Sequence, residues 1–353
     1  MLLPLHSSVS LISLFPLYWN TQNIHPQPSF IPSLTKSPLT TTIFSLLQKK
    51  KKKDNKKLTM DLKMDQPRFV IPSTEAQLLA QSSGLSSVTD VLPTLVPTAQ
   101  SLARPPISKF PVAAVGAGKS GRIFIGVNLE FPGLPFHHTI HAEQFLVANL
   151  LLNSEPSLVS FAVSAAPCGH CRQFLQELPN ATDLKILITN QTNPNFSPLS
   201  QFLNHRFGPR DLLPDSVPLL LEPHNHGLSL PNKFNSNDSD LKLAVAALEA
   251  ANASHAPYSA SPSGVAVMDC EGKVYRGSYI ESAAYNPSLG PLQAAIVAYV
   301  AGGGGGYERI VAAVLVEKES ALVKQEHTAR LLLNAISPSC DFKALICSPK
   351  NGE

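Results

Sequence analysis

A chain of 353 residues, 44% of them hydrophobic, is long enough to bury cores in two domains of ordinary size. No apolar run reaches the roughly 18 residues of a membrane span, so no membrane partner is expected. The formal charge of +3 comes from the first 63 residues, and the rest carries 19 basic against 23 acidic residues, a mildly acidic body that argues against a surface built to grip nucleic acid.

Residues 1–63 differ in composition from the rest of the chain. No Asp or Glu precedes Asp54, and Ser, Thr, Pro and Leu dominate. The stretch ends in Lys49–Lys53 with Lys56 and Lys57. Three readings fit it. One is a plastid-type transit segment, Ser-rich and acid-poor but without Arg. Another is a nuclear or nucleic-acid signal in the lysine run. The third, which is preferred, is sequence ahead of a true start at Met60 or Met64, with a cytoplasmic location for the product.

Residues 64–84 are expected to form a helical lead-in, with a helix opening at Thr74, and residues 85–207 a first domain. Val88–Leu102 promises a further helix, broken by Pro93 and Pro97. Phe110–Val115 and Arg122–Val127 read as strands joined by the turn Gly116-Ala117-Gly118-Lys119-Ser120-Gly121. Gly-Lys-Ser invites comparison with a phosphate loop, but the glycine spacing differs and a strand comes next instead of a helix. Asn128 and Glu130 end the second strand two residues apart, so alternation turns both to one face. An amide beside a carboxylate can hold a hydroxyl pair, as on a sugar. Spacing alone favours a plain polar strand end.

The chemistry concentrates in His141-Ala142-Glu143 and Pro167-Cys168-Gly169-His170-Cys171. His141 opens the apolar stretch Phe145–Leu152, which reads as a helix. Leu158–Ala166 reads as a buried strand, and Pro167 suits the start of a helix behind it, where its missing N–H costs nothing. Cys168 and Cys171 then share one face of a first turn, where free N–H groups and the helix dipole favour thiolate over thiol. One imidazole and two thiolates leave a fourth position for water, the pattern of a catalytic zinc ion, one per subunit. Glu143 is then a proton carrier beside that water. H-x-E followed by P-C-x-x-C is the signature of zinc nucleobase deaminases. His170 is expected to point off the cysteines' shared face. Arg172 is a candidate donor to a thiolate sulfur. His137 and His138 read as packed or exposed polar residues. Cys270, Cys340 and Cys347 read as reduced core residues.

Phe110, Asn128-Leu129-Glu130, Thr139–Gln144 and Pro167–Phe174, in this order, resemble the cytidine deaminases in their homodimeric, two-domain bacterial and plant form. Phe207-Gly208-Pro209-Arg210-Asp211 and Ser259–Ala266 resemble it too. The likeness runs from about residue 65 to the C-terminus. It implies an α/β fold, an α/β/α sandwich around a mixed sheet, duplicated within the chain. It implies His141, Cys168 and Cys171 as zinc ligands and Glu143 as the proton shuttle. It further implies Asn128 and Glu130 at the ribose 3′-hydroxyl, Phe110 against the nucleoside, and Phe207 as an aromatic lent by the partner subunit. The implied reaction is hydrolysis of cytidine and deoxycytidine to uridine or deoxyuridine plus ammonia, in pyrimidine salvage, by a homodimer with no nucleic-acid partner. A dCMP deaminase and a polynucleotide cytosine deaminase are the alternatives. The acidic body and the grip on the 3′-hydroxyl oppose the latter.

Sliding the sequence by 151 positions lays Gly121 on Gly272, Gly126 on Gly277, Glu130 on Glu281, Pro106 on Pro257 and Ser108 on Ser259. His141 then falls on Leu292, Glu143 on Ala294, Cys168 on Glu319 and Cys171 on Leu322. Residues 241–353 are therefore expected as a second, non-catalytic copy that imitates a neighbouring subunit, with Glu281 a structural surface carboxylate. Residues 208–240, rich in Pro, Asn, Ser and His, read as a linker in which His224 and His226 are solvated. Gly302–Gly306 reads as a flexible loop.

Overall fold

The computed structural model describes residues 68–231 and 238–349. The extension 1–63 with its three readings lies outside the described residues, as do parts of the lead-in and of the linker. Strands form where short apolar runs can be buried on both faces, as in Ala113–Gly118 and Ile123–Val127, where every residue is buried. The first sheet comprises β1 (Val70–Ile71), β2 (Ala113–Gly118), β3 (Ile123–Val127), β4 (Leu158–Val163), β5 (Lys185–Ile188) and β6 (Ser197–Pro198). Its order is β1-β3-β2-β4-β5-β6, with β4 and β5 parallel and the other pairs antiparallel.

The second sheet comprises β7 (Leu228–Ser229), β8 (Ser263–Asp269), β9 (Val274–Ser278), β10 (Ile310–Lys318) and β11 (Asp341–Pro349). Its order is β7-β11-β10-β8-β9, again with one parallel pair, β10 and β11. Around the sheets lie α1 (Ser73–Ser82), α2 (Val88–Ala99), α3 (Ala142–Leu152), α4 (Gly169–Phe174), α5 (Leu199–Phe202), α6 (Pro209–Leu212), α7 (Asp238–Asn252), α8 (Pro291–Ala301) and α9 (Glu326–Ile336). Both sheets belong to one compact unit, and α3 packs against α8 in its middle. That position explains why both helices are mostly apolar and covered on all sides, with Ala142–Leu150 and Pro291–Val297 buried throughout.

Helix α2 runs through Pro93 and Pro97 unbroken. The two prolines are four residues apart on its more exposed side, while Val91, Leu92, Leu95, Val96 and Ala99 are buried. Burying each large aliphatic is worth roughly 1.5–3 kcal/mol, against about 3 kcal/mol per internal proline, so the buried face wins. The Gly-Lys-Ser turn joins β2 to β3 and closes on a buried carboxylate. Glu155 accepts from Ser120 N at 2.9 Å and from Arg122 Nη2 at 2.7 Å, and Ser120 Oγ bonds it as well. A carboxylate in that position repels phosphate.

The repeat is real, but its register is not constant. Ile107, Ser108 and Glu130 correspond to Tyr258, Ser259 and Glu281, at the expected shift of 151. The glycines then mark a change. A Cβ on Gly126 would strike Ala142 O and Leu146 N, whereas one on Gly277 would strike Pro291 O and Ala295 N. The helices therefore align at 149, because the second copy is two residues shorter in the preceding loop. Gly290 stands where His141 does, and Leu292 where Glu143 does, which corrects the expected Leu292 and Ala294. In the next strand Val163 pairs with Ala114 as Leu315 pairs with Val265, a shift of 152. Counting on from there puts Ser320 and Val323, not Glu319 and Leu322, at the cysteine positions.

Candidate metal centre

His141 is the N-cap of α3, so its side chain sits at the N-terminal end of that helix. Cys168 is the N-cap of α4, and Cys171 lies one turn on, fully buried. The two helix starts meet. His141 Nδ1 lies 3.5 Å from Cys168 Sγ and 3.3 Å from Cys171 Sγ. Zinc–nitrogen and zinc–sulfur bond lengths give a tetrahedron with N···S edges of about 3.5 Å, so these donors fit a zinc ion. Cys168 is exposed and His141 half-buried, which leaves the centre open on one side.

The thiols titrate as a pair. Hydrogen bonds from Cys171 and then from His141 bring Cys168 down to about 3. The same bond to Cys168, together with burial, pushes Cys171 far up. A single negative charge shared between the two sulfurs accounts for both shifts, and a dication is what makes both thiolates. The bond to Cys168 also raises His141, against the effect of burial.

Glu143 is buried in the first turn of α3, 4% exposed. Burial raises its carboxyl, and its own backbone N–H and then the charge of His141 partly offset that. Burial thus keeps it ready to hold a proton.

Asn128 and Glu130 come just after β3 and both brace the segment 107–112. Asn128 Oδ1 accepts from Val112 N at 2.8 Å, and its Nδ2 donates to Phe110 O at 3.0 Å. Glu130 accepts from Ile107 N and Ser108 N, both at 2.9 Å, and from Ser108 Oγ at 2.5 Å. Burial works against its charge, but these bonds outweigh it and hold the carboxylate below its usual range. Glu130 lies near enough to act electrostatically on His141. Phe110 and Phe207 expose their rings, and Phe207 is anchored by its carbonyl, which accepts from Gln173 Nε2 at 2.6 Å.

Several expectations change. His170 does not point away from the cysteines: a ring nitrogen joins His141, Cys168 and Cys171 in a group whose donor atoms lie within 4.8 Å of one another. Its Nε2 lies 3.2 Å from Asn286 O, on the second copy. Arg172 does not reach a sulfur. It donates to Pro167 O at 2.7 Å and Phe202 O at 3.0 Å, so it ties the start of the cysteine-bearing segment to α5. Glu281 is no surface carboxylate: it is buried and repeats the brace of Glu130, accepting from Tyr258 N, Ser259 N and Ser259 Oγ. His224 is packed against His255, and burial drives its pKa down to about 4. His226 bonds Ser254 O at 2.9 Å. Two features have no sequence signal: the exposed ring of Phe136, beside the centre in sequence, and the crossing bonds of Gln144 and Gln293.

Known proteins match this chain over most of its length. The family model for the "cytidine and deoxycytidylate deaminase zinc-binding region" matches residues 88–185, and a second model of the same description matches 199–330. "Cytidine deaminase 1" of Arabidopsis thaliana is 62% identical over 299 residues, covering 80% of this chain and 99% of that protein. "Cytidine deaminase 7" of the same plant is 50% identical over 299 residues, covering 80% and 95%. A "Cytidine deaminase" of Yersinia pestis is 45% identical over 246 residues, covering 69% and 79%.

Proposed function

Because the chain belongs to the cytidine and deoxycytidylate deaminase family, we propose that it removes the amino group of free cytidine, and of deoxycytidine, by hydrolysis. The products are uridine or deoxyuridine and ammonia, and the proposed role is pyrimidine salvage in the cytosol. The observation that carries the reading is the convergence of His141 Nδ1 with two sulfurs beside a buried carboxylate.

His141, Cys168 and Cys171 hold the zinc ion. Bound there, zinc supplies a Lewis acid that brings the pKa of water toward about 7. Glu143 takes a proton from the attacking water and delivers it to ring N3, which makes C4 electrophilic. The C4–O bond forms. Glu143 then carries a proton to the amino group, the C4–N bond breaks and ammonia leaves.

The hydrogen-bond inventory of Asn128 and Glu130 supports a nucleoside. Glu130 accepts three bonds of the four its carboxylate can take, and Asn128 Nδ2 uses one of two N–H groups. One acceptor and one donor remain, which match a ribose 3′-hydroxyl. A 3′-phosphodiester has no proton to give Glu130 and brings its own negative charge. Phe110 stacks on the nucleoside, and Phe207 serves the site of the partner in a homodimer. The exposed rings of Phe110, Phe136 and Phe207 are surface that such a partner would cover.

The test is the loss of cytidine absorbance with zinc-loaded protein, with CMP and a short C-containing oligonucleotide run beside it. Turnover of the nucleosides alone is expected. Turnover of CMP or the oligonucleotide instead would overturn the roles given to Asn128 and Glu130.

A further inference from the structure

Glu177 closes the segment that begins with Cys168, one short turn beyond α4. Its side chain is fully buried and reaches into the second copy. One carboxylate oxygen accepts from His255 Nε2 at 3.1 Å and from Tyr258 Oη at 2.7 Å, and the other from Ala283 N at 2.7 Å. We propose that Glu177 is a positioning residue of the metal centre: it latches the cysteine-bearing segment to the second copy, which in this way sets the geometry of the thiolates.

The latch does not act alone. The stretch Ala283–Pro287 of the second copy touches the first copy at three places. Ala283 N holds Glu177, Asn286 O meets His170 between the two cysteines, and Pro287 O accepts from Gln144 on the helix of His141. Both ligand-bearing helices are thus tied to one five-residue stretch. Glu177 is the strongest of the ties, since a buried carboxylate with three donors has no comparable alternative. Removing one acceptor oxygen leaves buried donors facing each other, and α4, a helix of under two turns, has few bonds of its own to hold the cysteines against that change.

The proposal rests on zinc at His141, Cys168 and Cys171. Its test uses the zinc protein and its cobalt-substituted form, whose visible bands report the geometry of the thiolates. Glu177→Gln is expected to release zinc to a chelator about tenfold faster and to shift the cobalt bands. Tyr258→Phe, which removes a single donor, is expected to do the same to a smaller degree. Glu155→Gln is the control, a buried carboxylate of the same copy that touches neither ligand-bearing helix start. It is expected to lose stability with release and bands unchanged. Wild-type release and bands in Glu177→Gln would overturn the latch, as would equal shifts in Glu155→Gln. If Glu177→Gln does not fold, Tyr258→Phe decides, and wild-type values there overturn the latch. A wild-type protein that takes up neither metal would instead overturn the site itself.

Discussion

Gln144 and Gln293 make the same pair of bonds in opposite directions. Gln144 Oε1 caps His141 N at 3.2 Å, and its Nε2 crosses to Pro287 O at 3.1 Å. Gln293 Oε1 caps Gly290 N at 3.0 Å, and its Nε2 crosses to His138 O at 2.9 Å. Each residue and its target are exchanged by the same shift of 149. The two copies therefore face each other about a local two-fold axis, as subunits of a symmetric dimer do. Gln144→Leu and Gln293→Leu should each cost about 1–3 kcal/mol by leaving a buried carbonyl without a donor. Only Gln144→Leu should also lower kcat, because it frees the backbone of His141. Urea denaturation beside steady-state kinetics checks both.

Glu143→Gln should keep zinc and fold but lose turnover by about 10³-fold, since the amide can neither take nor deliver the proton. Metal analysis and a single-turnover assay on one preparation check this. Activity within tenfold of wild type would remove Glu143 from the mechanism.

Cys168→Ala should lose zinc. His170→Asn should keep one zinc per chain, because the proposed centre has three protein ligands and His170 is tied to Asn286 O. If His170→Asn loses the metal, the centre is closed by four protein ligands and is structural.

Glu130 and Glu281 hold equivalent loops, so Glu130→Gln and Glu281→Gln should destabilise the protein by similar amounts, about 1–3 kcal/mol each. Their kinetics should diverge. Glu130→Gln should raise KM for cytidine, and Glu281→Gln should leave it unchanged.

His224 gives the protein an acid limb. Burial lowers its pKa from 6.5 to about 4, so the folded state favours the neutral ring. Its stabilising contribution is complete above the unfolded value and is lost as pH falls from about 6.5 toward 4, where the unfolded chain binds the extra proton. With partial solvent access, the loss should be no more than about 2–3 kcal/mol. His224→Gln keeps a donor for Leu219 O and should flatten this slope. Urea midpoints at pH 7.5 and 5 measure it.

The convergence of His141, Cys168 and Cys171 is legible in the sequence because each sits at a helix start, and helix starts have signatures. The strands around Gly126 and Gly277 are legible for the same reason. The features that depend on the other copy are not. Helical spacing turns His170 away from the cysteines, and it is Asn286, 116 residues on, that fixes its ring. Proximity to Cys171 suggests a sulfur for Arg172, and the carbonyl of Phe202 draws it elsewhere. A constant shift places Leu292 opposite His141 because glycines and acids on one side of the loop fit it so well. Only the contact of Gly277 with Pro291 and Ala295 exposes the missing two residues.

The second copy's substitutions also bear on descent. Gly290, Leu292, Ser320 and Val323 would all have to change to build a centre there. Each step alone is without benefit, since a lone histidine or thiol binds no catalytic metal. The joint requirement works as a ratchet: the second copy is held to supporting the first.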